Sequence, residues 1–304
     1  MNNPNLLYRA DNGFIVKSHP RNENLHFMEP DNQQWFDKVY ERYGDDWKYA
    51  DSIGKLTYYF NDDGFRNNKN LLDIHNEHYI VCLGSSPVEG GGIYYKQTFQ
   101  QQLSKLSNME VYNMGVAGVS NLEQMNNLMN LLSNYNPPKA VVLFSVLPQL
   151  LSTESPLHPG KYVTVGPWVE LFKEGMYKMR GKEWTDTAID YLNTREKIGN
   201  HLYEQEIYFK AAENICKLLG VHLIVLDASP PDPMKDLMDG YSTDWVTVDA
   251  PYHRGGQEFL DQFSRSFFFD PSISIDEINN KARDLFHAGT WWHDKVAEEI
   301  YKII

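Results

Sequence analysis

The sequence holds little that would point to export, to a membrane or to nucleic acid. It has no run near the roughly 18 apolar residues of a membrane-spanning helix, and its first residues lack the basic-then-apolar order of a secretory signal. Its 28 Lys and Arg stand against 41 Asp and Glu, a net charge of −13 with His neutral, and no basic patch offsets that charge. Such a field repels a phosphate backbone. We therefore expect a soluble protein, cytoplasmic or otherwise unexported, that binds neither a membrane nor nucleic acid.

Cysteines and nucleotide-binding motifs are also scarce. Cys82 and Cys216 are the two cysteines of the chain, and each lies in an apolar segment, so we expect two buried free thiols. His75 and His78 have the spacing of a metal-binding pair, but no third ligand follows nearby in the sequence. The chain has no Gly-Lys-Ser/Thr phosphate loop and no G-x-G-x-x-G motif. We therefore expect no metal and no organic cofactor.

The composition is that of an ordinary globular protein, with 42% hydrophobic and 23% charged residues over 304 positions. Short apolar runs that end at a glycine or a polar residue are typical of buried parallel strands. Such runs occur at Tyr79–Leu83, Glu110–Asn113, Lys139–Ser145 and Val221–Asp227. Apolar residues at helical spacing occur at Tyr95–Leu106, Leu122–Leu132, His201–Leu219 and Val296–Ile303. This alternation predicts an α/β fold, a three-layer sandwich whose mainly parallel sheet is flanked by helices.

The distribution of polar and apolar residues along the sequence also suggests how the chain is organised. Residues 1–75 are polar, with scattered aromatics and no long amphipathic period, so we expect an irregular or short-stranded N-terminal extension packed on the main domain. Residues 76–304 would form that domain. Within it, the stretches from about 151 to 200 and from 228 to 281 have no clear period and are too long for simple connections. We expect them to be insertions over one end of the sheet.

The first candidate for chemistry is a serine that follows the first predicted strand. In an open α/β sheet, ligands bind at the carboxyl ends of the strands. Ser86 lies there, after Gly84 and before Pro87, in a turn that would expose its hydroxyl at the rim of the sheet. Ser86 would serve as a nucleophile or would only cap a helix start, which is the commoner role for such a serine.

The C-terminal region contains a carboxylate and an imidazole three residues apart, Asp284 and His287. One turn can present both side chains. A serine hydroxyl needs a base, and the base needs a carboxylate to fix its tautomer, so Ser86, His287 and Asp284 together would form a catalytic triad. Taken alone, the pair would be an ordinary loop turn, but with Ser86 present the catalytic interpretation is the stronger one.

These motifs resemble those of the SGNH or GDSL-type serine hydrolases. The family's G-D-S-x-x-x-G block is matched by Gly84-Ser85-Ser86 through Gly90, with Ser85 in place of the usual aspartate, and its D-x-x-H block by Asp284 and His287. The segment Asn113-Met-Gly-Val-Ala-Gly118-Val-Ser120 is similar to N-x-G-V-x-G-x-S. His293 falls where members often carry a Gly-His. Upstream, Asn61-Asp-Asp-Gly64-Phe65-Arg66 resembles the N-x-x-G-F-R segment of one large branch.

The resemblance implies an oxyanion hole formed by the backbone N–H groups of Ser86 and Gly118. The family's third block, G-x-N-D, is missing, because the third strand runs into Ser145-Val-Leu-Pro148-Gln149-Leu. Gln149 is the side chain in that neighbourhood that could donate an amide N–H in place of the asparagine, although a surface glutamine is the alternative. Loss of one oxyanion donor typically costs about 10²–10³ in rate.

The resemblance therefore implies an esterase that hydrolyses a small-molecule or carbohydrate O-acyl ester through Ser86, His287 and Asp284, without a cofactor. The alternative is a weak or inactive binding module with the same fold, including one associated with a virion, that contacts a carbohydrate or a protein. The missing third block favours this alternative, and the retained triad residues speak against it.

Overall fold

The computed structural model describes residues 6–28, 31–146, 150–155, 158–166, 168–171, 173–197, 200–227, 243–248 and 273–304. The strands are β1 Leu7–Arg9, β2 Ile15–Lys17, β3 Asn24–Leu25, β4 Tyr58–Tyr59, β5 Tyr79–Gly84, β6 Glu110–Gly115, β7 Ala140–Phe144, β8 Leu151–Ser155, β9 His158–Val165, β10 His222–Asp227 and β11 Asp244–Thr247. The helices are α1 Gln33–Tyr43, α2 Leu71–Ile74, α3 Ser86–Glu89, α4 Phe99–Ser107, α5 Asn121–Asn134, α6 Trp168–Leu171, α7 Lys173–Arg180, α8 Lys182–Lys197, α9 Asn200–Leu218, α10 Ile275–Asn279 and α11 Thr290–Tyr301. Among the described residues, no helix is long and apolar enough to cross a membrane.

The central sheet contains five parallel strands in the order β11-β10-β7-β5-β6. From β5 the chain crosses to β6 on one side and then to β7 on the other side. The carboxyl end of β5 is therefore the point where the winding direction reverses, the place at which open α/β sheets bind ligands. The predicted α/β fold is confirmed, and the four predicted strands are the adjacent strands β10, β7, β5 and β6 of this sheet.

Helices cover both faces of this sheet, because each buried strand presents apolar side chains on both sides. On one face, the residues that pack together come from α5, α9 and the strands, and include Val81, Val141, Leu128, Phe209 and Cys216. On the other face they come from α4, α11 and the strands, and include Cys82, Val142, Phe99, Trp292 and Val296. Cys82 and Cys216 are both buried free thiols, as predicted.

The N-terminal residues contain more regular structure than the sequence predicted. Residues 33–43 form α1, whose first turn is capped by Asn32, since its side chain accepts a hydrogen bond from the N–H of Trp35. Phe36 and Val39 are the buried residues of this helix, and with Tyr40 and Tyr43 they give apolar positions at i, i+3, i+4 and i+7, a helical period that the sequence prediction missed. Phe36 and Val39 join an aromatic cluster that includes Leu285 near the C terminus.

The two stretches predicted to be insertions also contain regular elements. The first holds the β8–β9 hairpin, which pairs through β9 with β1 to make a four-stranded antiparallel sheet, and helices α6 to α8. The second supplies β11, which extends the central sheet, and α10. Strand β11 has four residues, of which one is buried, so no apolar run marks it in the sequence. Residues 228–242 and 249–272 of this stretch lie outside the described part of the chain.

Candidate active site

The nucleophile turn joins β5 to α3. Strand β5 ends at Gly84, Ser85 occupies the N-cap, and Ser86 is the first residue of the short helix. A Cβ at position 84 would lie 2.2 Å from Cγ2 of Val88, so only glycine lets the chain turn this tightly into the helix. Gly90, with φ of 83°, ends the helix in the left-handed region. The turn therefore places Ser86 at the carboxyl end of β5, with a backbone N–H that has no partner within the helix.

The loop that follows β6 packs directly on this turn. The N–H of Val116 donates to the carbonyl of Gly84 (2.9 Å), and a Cβ at Gly115 would lie 2.2 Å from the backbone N of Glu89. This contact of backbone with backbone is possible because position 115 carries no side chain. Three residues after Gly115, near the same turn, Gly118 takes a φ of 81°.

The loop between α10 and α11 carries Asp284 and His287 on one tight turn. Oδ1 of Asp284 accepts hydrogen bonds from the backbone N–H groups of Phe286 (3.0 Å) and His287 (3.1 Å). Leu285, which follows Asp284 in this turn, has a φ of 64°, which is unusual for a leucine. The carbonyl of His287 accepts the N–H of Ala282 (2.9 Å). The carboxylate thus holds the turn together with one oxygen and leaves the other free for the imidazole.

The structure brings the three predicted triad side chains together. Nδ1 of His287 lies 2.5 Å from Oδ2 of Asp284, and Nε2 lies 2.7 Å from Oγ of Ser86. Because an ionised carboxylate can only accept, Nδ1 carries the proton, and Nε2 is left to accept the hydrogen of the serine hydroxyl. Asp284 is 1% exposed and His287 7% exposed, so this chain of hydrogen bonds is shielded from water.

The pair also shifts the pKa values of its own members. Burial by itself would lower the pKa of His287, but the Asp284 carboxylate outweighs it, and the pKa is raised above the usual 6.5. Burial would raise the pKa of Asp284, yet its imidazole partner and the two backbone N–H groups hold that pKa below its usual range. Asp284 therefore stays ionised, and His287 is a stronger base than an isolated imidazole.

Three glycines in a row end and follow helix α3, and the second and third lie against the turn that carries Asp284 and His287. A Cβ at Gly91 would lie 3.1 Å from Cε1 and from Nδ1 of His287. A Cβ at Gly92 would lie 2.9 Å from the backbone N of Asp284. Only Gly90 of this run belongs to the G-D-S-x-x-x-G block, although three consecutive glycines in a sequence are themselves a signal of close backbone approach.

Arg66 is a supporting residue whose role the motif alone did not reveal. Its buried guanidinium donates to the carbonyl of Gly90, to that of Ile93 (2.8 Å) and to that of Thr57 (3.1 Å). The N-x-x-G-F-R segment thus ends in a side chain that holds the glycine run in place. Asn61 shapes the segment itself, because its Oδ1 accepts the N–H of Phe65 (3.0 Å).

Two buried polar residues near the triad form hydrogen bonds with backbone N–H groups of the surrounding elements. The carboxyl of Glu89, whose pKa is raised by burial, accepts a hydrogen bond from the backbone N–H of Ala117, the neighbour of Gly118. His293 lies inside α11, where its Nδ1 accepts the N–H of Phe99 (3.1 Å). His293 therefore caps the start of α4.

The predicted oxyanion donors are described only in part. Ser86 and Gly118 lie in loops that pack against each other, whereas Gln149 lies outside the described residues. The carbonyl of Gly118 accepts a hydrogen bond from the hydroxyl of Thr164 in β9, so the first of the predicted insertions contacts this loop. Within the described ranges, no group of three or more His, Cys, Asp or Glu side chains could hold a metal ion.

No protein-family model and no curated protein matches the sequence. Among solved structures, the chain is similar to a lipolytic protein of the G-D-S-L family from Desulfitobacterium hafniense DCB-2, with 9% identity and a TM-score of 0.37 over 75% of this chain and 100% of that one. A carbohydrate esterase family 2 enzyme from Corynascus thermopiles (Myceliophthora fergusii) has 12% identity and a TM-score of 0.34, over 74% of this chain and 65% of that one. A GDSL-like lipase from Bacteroides thetaiotaomicron VPI-5482 has 11% identity and a TM-score of 0.33, over 75% and 88%. At such low identities and TM-scores, these likenesses assign neither an activity nor a substrate to this chain.

Proposed function

We propose that the chain is a serine esterase of the SGNH type, which hydrolyses an O-acyl ester by acyl transfer through Ser86. One observation carries the proposal, namely the unbroken line of hydrogen bonds from Ser86 Oγ through both nitrogens of His287 to Asp284. A serine that only capped a helix would have no reason to contact an imidazole, and the imidazole no reason to be oriented by a buried carboxylate.

In this mechanism Oγ of Ser86 attacks the ester carbonyl carbon while Nε2 of His287 takes the hydroxyl proton. The tetrahedral intermediate collapses to an acyl-serine, and the same proton passes from His287 to the leaving alcohol. A water molecule then loses a proton to His287 and attacks the acyl carbon, and the serine regains a proton as the acid leaves. Asp284 stays ionised throughout and stabilises the imidazolium that forms twice in each cycle.

The negative oxygen of each tetrahedral intermediate needs hydrogen-bond donors. We assign this role to the backbone N–H groups of Ser86 and Gly118, whose loops pack on each other. The side chain of Gln149 is our candidate for a third donor, on the basis of its position after the third predicted strand. A small-molecule ester or an O-acetyl group on a carbohydrate is the substrate class we propose, and the alcohol would be selected by the insertions.

Turnover of a chromogenic acetyl ester by the wild-type chain and by Ser86→Ala tests the proposal. We expect Ser86→Ala to lower kcat by about 10⁴-fold or more with the fold intact, because the members of a triad act as a unit. Ser85→Ala is the matched control and should keep most of the activity, since Ser85 has no side-chain capping bond to lose. A fluorophosphonate should label the wild-type protein at Ser86.

Two outcomes would overturn the assignment. If Ser85→Ala abolishes turnover and Ser86→Ala does not, the nucleophile is misplaced by one residue. If the wild-type chain cleaves nothing in a broad panel of acyl esters and binds no fluorophosphonate, the chain is a binding module with a hydrolase fold.

A further inference from the structure

A buried ion pair connects the N-terminal residues to the loop that carries Asp284 and His287. Arg283, next to Asp284, has a fully buried side chain, and Asp31 is 2% exposed. Nε of Arg283 lies 3.0 Å from Oδ1 of Asp31, and Nη2 lies 2.5 Å from Oδ2. This geometry, with both carboxylate oxygens used, is the strong form of an arginine–carboxylate pair.

Other N-terminal groups complete the surroundings of the same guanidinium. Nη2 of Arg283 also donates to the carbonyl of His26 (2.6 Å), and Nη1 donates to Oγ of Ser52 (3.3 Å). An arginine stays charged when buried, so its burial is costly unless its donors are satisfied in this way. The side chain beside Asp284 is therefore fixed almost entirely by residues 26–52.

Tyr58 extends the same hydrogen-bond network to the other side of the imidazole of His287. Its hydroxyl donates to Oδ2 of Asp31 (2.5 Å) and accepts the backbone N–H of Gly92 (2.9 Å). The carbonyl of Gly92 in turn accepts the N–H of Arg283 (3.0 Å). Because Gly91 lies against the ring of His287, the network reaches both the backbone before Asp284 and the backbone beside the imidazole.

We propose that Asp31 and Tyr58 are positioning residues for the Asp284–His287 pair, so that the N-terminal segment is a working part of the active site. This inference rests on the proposed function, since it concerns the base of that reaction. Neither residue touches the reacting atoms, and both act through Arg283 and Gly92. A displacement of the imidazole by about 1 Å would be costly, because general-base catalysis depends on the distance to the serine proton.

Tyr58→Phe is the informative variant, because it removes one hydroxyl and leaves both buried charges in place. Asp31→Asn would leave the buried charge of Arg283 without its carboxylate partner and risk unfolding the protein. The matched control is Tyr59→Phe, one residue along, where the lost hydroxyl donates to Asn22 on the surface (2.9 Å). We expect Tyr58→Phe to lower kcat about tenfold with KM within about twofold, and Tyr59→Phe to behave as wild type.

A second measurement follows the imidazole itself by NMR and needs no turnover. The carboxylates of Asp284, Glu89 and Asp31 face His287 and raise its pKa, and Tyr58→Phe retains all three charges. We therefore expect a lower pKa for His287 in Tyr58→Phe only because the Asp284 contact loosens, together with a weaker low-field signal from the Nδ1 proton.

The two readouts separate the two hypotheses. A wild-type chain that cleaves no ester refutes the proposed function, while the NMR titration still reports on the positioning of His287. A folded Tyr58→Phe protein whose His287 pKa and Nδ1 proton signal match those of wild type overturns the positioning role, and so does an equal effect of Tyr59→Phe. An unchanged kcat in Tyr58→Phe also contradicts it if the wild-type enzyme is active.

Discussion

The two sides of the site are held together by different physical means. On the side of the nucleophile, the contacts are between backbones: Gly84 and Gly115 are paired neighbours on parallel strands, and neither has room for a side chain. On the side of the base, Gly91 and Gly92 also pack closely, but the turn is held by two buried charged pairs, His287 with Asp284 and Arg283 with Asp31. The first side is sensitive to added volume, and the second is sensitive to changed charge as well.

Removal of the charge on Asp284 should have the largest effect on the side of the base. In Asp284→Asn the amide can donate to Nδ1 and favour the tautomer in which Nε2 carries the proton, so His287 could no longer accept from Ser86. We expect kcat to fall by about 10³–10⁴-fold with substrate binding retained. Steady-state kinetics on a chromogenic acetyl ester measure this loss.

Asp276→Asn, an exposed change of the same chemistry in α10, is the matched control and should leave kcat unchanged. A value within tenfold of wild type for folded Asp284→Asn would show that Asp284 does not serve the base.

Added volume should be most damaging on the side of the nucleophile. The new methyl group of Gly115→Ala would meet the backbone of Glu89, which cannot move without displacing α3. We expect a loss of about 3 kcal/mol in the free energy of unfolding, measured by urea denaturation.

Gly54→Ala is the control for this substitution, because Gly54 has a left-handed φ of 73°, which Gly115 does not, but nothing lies within 4 Å of the added carbon. It should cost only about 1 kcal/mol, the penalty of a left-handed backbone. Equal losses in the two variants would mean that α3 adjusts and that the close packing at Gly115 is dispensable.

This difference also explains what could be predicted from the sequence. The buried strands of the central sheet are visible in the sequence as apolar runs, so the fold class could be predicted. The glycines and short motifs of the turn lie within a few residues of Ser86, and Asp284 and His287 lie three residues apart, so the candidate triad could be predicted as well. The pairing of Arg283 with Asp31 spans 252 residues, and no local pattern marks either partner. Helix α1 was missed although its apolar period is present, because that period covers only eight residues of a polar stretch, and strand β11 was missed because only one of its four residues is buried.

The pH dependence of the reaction should report on the base alone. Because the pKa of His287 is raised, the neutral form needed for catalysis is lost at a higher pH than for an ordinary histidine. We expect kcat to begin to fall above pH 6.5 as the pH is lowered, and then to drop about tenfold for each further unit.

Protonation of His287 has the opposite effect on the free energy of unfolding. A raised pKa in the folded state favours the folded protein below the unfolded pKa, and this contribution disappears as the pH rises through the folded pKa. Activity and this part of the stability should therefore change in opposite directions over one pH range, measured by kcat and by urea denaturation. A flat kcat from about pH 5 to 8, with chemistry rate-limiting, would contradict His287 as the base.

The smallest effect that we predict concerns Thr164, whose side chain contacts the loop of Gly118 from β9. The hydroxyl of Thr164 donates to the carbonyl of Gly118, the residue whose N–H we assign to the oxyanion hole. Thr164→Val keeps the shape of the side chain and removes the donor, at a cost of about 1 kcal/mol, the value of one hydrogen bond. If that cost falls on the transition state, kcat should drop about fivefold with KM unchanged.

Thr164→Ser retains the hydroxyl and should stay close to wild type, which separates the hydrogen bond from the packing of the methyl group. Equal kcat values for Thr164→Val and the wild-type enzyme would mean that the glycine backbone fixes the loop without help from β9. A loss in Thr164→Val that Thr164→Ser does not share would mean that the β8–β9 hairpin, the part of the chain where substrate selection is expected, also tunes the hole. In that case a side chain of β9 positions the loop of Gly118 in addition to the carboxyl of Glu89, and the contrast between the two sides would hold only for the contacts of Gly84 and Gly115.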